Sequence, residues 1–92
     1  MDILPILERH RNETINQLKK HQQDWIGAPP SPNKLRMHLK ENLVLHTRQM
    51  AELRQIPIDQ LPDKLKGSLG VVMASVNERI KDIEKDIHLW GP

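Results

Sequence analysis

Along the last third of the chain, apolar residues recur at Leu65, Leu69, Val72, Val76, Ile80, Ile83, Ile87 and Trp90, in steps of 4, 3, 4, 4, 3, 4 and 3 residues. That spacing lays the side chains along one face of an α-helix. The opposite face carries Glu78, Arg79, Lys81, Asp82, Glu84, Lys85 and Asp86. Opposite charges three apart on it each add a few tenths of a kcal/mol of helix stability. The middle third repeats the pattern through Leu35, Leu39, Leu43, His46, Met50 and Leu53, with Val44 and Leu45 widening the stripe and His46 as a polar intrusion. The first third is less regular. Leu4, Leu7, Arg11, Thr14, Leu18, His21 and Trp25 follow a seven-residue period whose middle is polar, supplemented by Ile3, Ile15 and Ile26. It predicts a helix that packs more weakly than the other two.

Two proline-marked breaks separate the stretches. In Gly27-Ala28-Pro29-Pro30-Ser31-Pro32, glycine suits a left-handed position after a helix and the prolines prevent its continuation. Ser31 followed by Pro32 then reads as a helix start. In Ile56-Pro57-Ile58-Asp59-Gln60-Leu61-Pro62, each residue before a proline is pushed away from helical ψ, and Asp59 is available as an N-cap. These signals predict helices over 2–26, 32–55 and 59–89, joined by linkers 27–31 and 56–58. No strand-like alternation competes with them. The expected fold is an all-α antiparallel three-helix bundle, a helical hairpin plus a long third helix, open to completion by a dimer or a larger partner. Up-down-up topology places Trp25 and Trp90 at the same pole.

Composition adds constraints. The chain has 92 residues, 37% of them hydrophobic and 28% charged, with no Phe, Tyr or Cys, so a single small core must be aliphatic. Without cysteine there is no disulfide, thiolate metal site or cysteine nucleophile. No apolar run approaches the ~20 residues that span a bilayer, and the start Met1-Asp2-Ile3-Leu4-Pro5 lacks signal-peptide character. A cytoplasmic protein without membrane contact is the expectation. The net charge of +2 is uneven, because the segment around Lys34, Arg36, Lys40, Arg48 and Arg54 is the basic part of the chain.

The candidate chemistry is sparse. The histidines are His10, His21, His38, His46 and His88; none lies three or four residues from another, the spacing a helical metal site needs. No metal or cofactor is expected. His46 on an apolar stripe reads as a hydrogen-bonded core or interface histidine. Ser31, Ser68 and Ser75 sit in no nucleophile motif, and the carboxylates of the third segment lie on a charged face where they stay ionised. A catalytic role is not expected. Gly67, Gly70 and Ala74 fall on one helical face, either admitting a neighbouring helix closely or marking a break with Ser68 as N-cap. Trp25 is expected to close the core at a helix end, whereas Trp90 reads equally as core or as a binding anchor.

What remains is a small helical protein-binding module, acting as an adaptor, chaperone or inhibitor on the surface of a larger protein. Trp25, Trp90, Lys34, Arg36, Lys40, Arg48, Arg54, Gly67 and Gly70 are its candidate contacts. The alternative is a nucleic-acid-binding module or nucleoprotein subunit that uses the five cations of the second helix. Denser Lys/Arg clustering is usual for that role. A homodimer is the third expectation.

Overall fold

The computed structural model describes residues 2–90, with side chains through residue 89. Three α-helices run over Leu4–Gln22 (α1), Pro32–Arg54 (α2) and Asp63–Trp90 (α3), with short 3-10 turns at Gln23–Trp25 and Ile58–Gln60. No strand occurs among the described residues. The all-α up-down-up arrangement follows the predicted one, since α2 packs antiparallel to both α1 and α3. The described residues contain no helix long and apolar enough to cross a membrane.

Local chemistry sets the boundaries. Gly27 takes φ +87°, the left-handed conformation anticipated after the first helix. The Ser31 hydroxyl accepts a hydrogen bond from the Lys34 N–H, and Pro32 occupies the first turn of α2. The third helix starts at Asp63 instead of 59, because Asp59 belongs to the 3-10 turn and the carbonyl of Pro62 receives the first helical bonds, from Leu65 and Lys66. Through Gly67 and Gly70, α3 is continuous. Ser68 is not an N-cap: its hydroxyl donates to the Lys64 carbonyl one turn earlier.

The core lies toward one pole, where the start of α1, the end of α2, the second linker and the first half of α3 meet. Ile3, Leu53 and Leu69 are almost completely enclosed, and Met50, Ile56, Leu61 and Val76 join them. Burying an aliphatic side chain of this size contributes about 1.5–3 kcal/mol. Toward the other pole α2 and α3 continue as a hairpin with half-buried Leu35, Leu39, Leu43, Ile80, Ile83 and Ile87.

The first helix turns Leu7, Thr14 and His21 of the predicted stripe inward but leaves Leu4, Arg11, Leu18 and Trp25 exposed. Leu4 and Leu18 are 60% and 56% exposed, while the inward positions are Ile3, Leu7, His10, Thr14, Gln17, His21 and Asp24. Their spacing of 4, 3, 4, 3, 4 and 3 is a heptad seam. All but two of its members are polar. Trp25, expected in the core, is 53% exposed for the same reason, since it sits one residue beyond the seam position Asp24. The ends of α1 and α3 share a pole as anticipated; the Trp90 side chain lies outside the described residues.

Candidate functional site

The polar seam of α1 meets an equally polar face of α2. Arg9 and His10 both donate to the Glu52 carboxylate. Glu13 accepts from Arg48 at 2.9 Å, and Gln17 donates to Asn42 at 2.5 Å. Farther along, Glu41 accepts from His21 at 3.2 Å and from Lys20 at 3.3 Å. Asp24 accepts from His38 at 2.7 Å and pairs with Lys34 at 3.2 Å. In the three histidine–carboxylate pairs, His10 with Glu52, His21 with Glu41 and Asp24 with His38, the residue numbers add to 62. This is an antiparallel register folded about Ser31.

Between the pairs, Gln49 is the inner link. It is 2% exposed; its amide nitrogen donates to the His10 carbonyl at 3.1 Å and to the Thr14 hydroxyl at 3.3 Å. Its oxygen accepts from His46 Nδ1 at 3.0 Å. His46 is therefore the hydrogen-bonded core histidine expected from its place in the stripe.

The seam shapes the local electrostatics. The hydrogen bond from His38, helped by Lys34, holds the Asp24 carboxyl below its ordinary range. The bond from His21, with Lys20, does the same for Glu41, and that from Arg9, with His10, for Glu52. Burial pushes His46 below its usual value despite the bond to Gln49, and the nearby Arg79 charge acts in the same direction. His46 is consequently neutral at pH 7.

The rings of His21 and His38 stack with centroids 4.0 Å apart and planes 9° from parallel. The His21 ring points its Nε2 at Glu41 on α2, and the His38 ring points its Nε2 at Asp24 in the 3-10 turn that follows α1. A shared metal ion would have to lie in both ring planes, which a parallel stack prevents. Among the described residues no group of three or more His, Asp or Glu is arranged to hold a metal. His10 Nδ1 is buried and has no hydrogen-bond partner among the described residues.

Because α1 docks on α2 through side chains with polar ends, it closes only loosely against α3. The molecule measures 47 × 25 × 16 Å. Three helices in mutual contact at roughly 10 Å would span only about 15 Å across the bundle in either direction. An open groove of about 510 Å³ lies between α1 and α3. Leu7 and Ile15 form one wall and Val71, Val72 and Val76 the other; Gln49 contributes from α2. Arg11 on α1 and Arg79 on α3 also line it, and no carboxylate does. Val71 is 71% exposed.

The predicted contact residues do not assemble into one surface. Lys34 and Arg48 are engaged with Asp24 and Glu13 across the seam, and Arg36 donates to the Asn33 side chain and the Pro32 carbonyl. Lys40 and Arg54 remain exposed on α2. Gly67 and Gly70 face open space, with nothing within 4 Å of where a Cβ would stand, so no helix of this chain uses the small-residue strip. The groove residues were not among the predicted contacts, because Leu7, Val72 and Val76 read as ordinary core positions. No protein-family model, curated protein or solved structure matches the chain.

Proposed function

We propose that this protein is a non-catalytic helical binding module that acts as an adaptor, chaperone or inhibitor by engaging a larger protein. The observation that carries the reading is the apolar groove between α1 and α3, which three helices leave unfilled although Val71 and Ile15 stand exposed at it. Exposed aliphatic surface in a trough between two rods is suited to receive apolar side chains of a partner. The nucleic-acid alternative has less support, since Lys34 and Arg48 are spent on carboxylates within the seam.

The test is affinity purification from the native host with the wild-type chain, Val71→Glu and an exposed control, Glu84→Lys. The reading predicts a protein retained by wild type and control, insensitive to nuclease, and lost with Val71→Glu. Retention of nucleic acid, released steeply by salt, contradicts it.

A further inference from the structure

We infer that the occupant of the groove is an amphipathic partner helix whose apolar stripe is flanked by carboxylates. The inference rests on the binding-module reading and adds the chemistry of the partner. The groove follows the two helices for the length between Leu7 and Ile15 on one side and between Val71 and Arg79 on the other. Eight residues correspond to about 12 Å of helix, enough for anchors at i, i+4 and i+7 of a third rod. α1 and α3 run in the same direction, each antiparallel to α2, so a rod in their trough occupies the vacant corner of a four-helix bundle.

Charge selects the partner. Arg11 and Arg79 stand on opposite walls, and neither has a hydrogen-bond or ion-pair partner among the described residues. The groove itself supplies no carboxylate, and His46 beside Arg79 is neutral at pH 7 and offers no compensation. A helix with acidic residues on both sides of its apolar stripe meets both guanidinium groups while its aliphatic anchors cover Leu7, Ile15 and the valines. A second copy docking groove to groove by a two-fold axis would set these arginines against their own counterparts.

The test uses two fluorescent synthetic helices of about 16 residues, long enough to present four turns, with the same leucine stripe flanked by either glutamate or lysine. Anisotropy is read on the full chain. The glutamate peptide is expected to bind at least about tenfold more tightly than the lysine peptide, a difference of about 1.4 kcal/mol. Arg11→Glu/Arg79→Glu, both at exposed positions, is expected to invert that preference, and Val71→Glu to weaken both peptides. Circular dichroism verifies that each variant keeps its helices. Equal affinity for the two peptides, no binding of either, or an unchanged preference in the charge-swapped variant overturns the inference, as does a wild-type dimer that Val71→Glu dissociates. In the host purification, a partner lost with Val71→Glu but kept by Arg11→Glu/Arg79→Glu leaves the binding module standing and removes the acidic helix. A partner indifferent to both variants removes both.

Discussion

Gln49→Leu is the most direct perturbation of the seam. The substitution keeps approximate volume and adds apolar character at a site only 2% exposed, so simple hydrophobic accounting makes it neutral or favourable. The hydrogen bonds argue otherwise. Gln49 makes three, at 3.0, 3.1 and 3.3 Å. Net contributions of about 1 kcal/mol apply to well-made bonds, less to the long shared one to Thr14. Thr14 still donates to the His10 carbonyl at 2.9 Å, so those α1 groups are not orphaned. His46 Nδ1 is. Leaving a buried N–H without a partner costs about 1–3 kcal/mol, and the total loss is roughly 2–4 kcal/mol after the apolar gain. With a urea dependence of about 1–1.5 kcal/mol per molar for so small a domain, the midpoint falls by about 1.3–4 M. Urea titration followed by circular dichroism at pH 7 measures it, with exposed Asn16→Leu as control. A loss below about 0.5 kcal/mol, the range of an ordinary surface change, would refute the claim that Gln49 ties the two helices together.

Acid should loosen the structure. Asp24, Glu41 and Glu52 have folded values below their ordinary ones, so their stabilisation is complete above the ordinary carboxylate range and disappears as pH falls through the folded values. His46, also lowered, adds a loss that begins below its ordinary value of 6.5, where the unfolded chain takes up a proton that the folded chain resists. Melting temperature should therefore drop on going from pH 7 to pH 4, and a flat profile would contradict the assignment. Leu69→Ala, at a fully enclosed position, should cost about 2–5 kcal/mol, against less than about 0.5 kcal/mol for Val71→Ala at the exposed groove wall; denaturant titration compares them. Ser31→Ala removes the cap on α2 and should cost about 1 kcal/mol, readable as a lower urea midpoint with unchanged slope.

The second and third helices were legible because the faces they turn to each other are largely aliphatic, and Ser31-Pro32 marks the start of α2 by backbone chemistry that acts locally, whereas the start of α3 lay four residues past the predicted one. The first helix was legible as a helix but not as to its face. The predicted stripe and the buried seam share Leu7, Thr14 and His21, but a search for apolar periodicity adds Leu4, Leu18 and Trp25, whereas the seam takes their neighbours Ile3, Gln17 and Asp24, with His10 in place of Arg11. The seam is polar because its partner surface is polar, a fact held by neither segment alone. One signal was present: reflecting the chain about Ser31 brings His10 to Glu52, His21 to Glu41 and Asp24 to His38. The histidines showed no metal spacing within a helix, and their true partners lay across the hairpin. The groove was hidden for a related reason. Leu7, Val72 and Val76 belong to core stripes by spacing and do pack at the core, and only the loose approach of α1 to α3 leaves Ile15 and Val71 exposed beside them as the walls of an open trough.

That loose approach is the central claim, and side-chain nuclear Overhauser effects measure it directly. The account predicts cross-peaks between the ring protons of His21 and His38, whose centroids lie 4.0 Å apart, and none between Leu18 on α1 and Ile83 on α3. Cross-peaks along the whole length of α1 and α3, with the histidine rings apart, would show a closed bundle without a groove and contradict it.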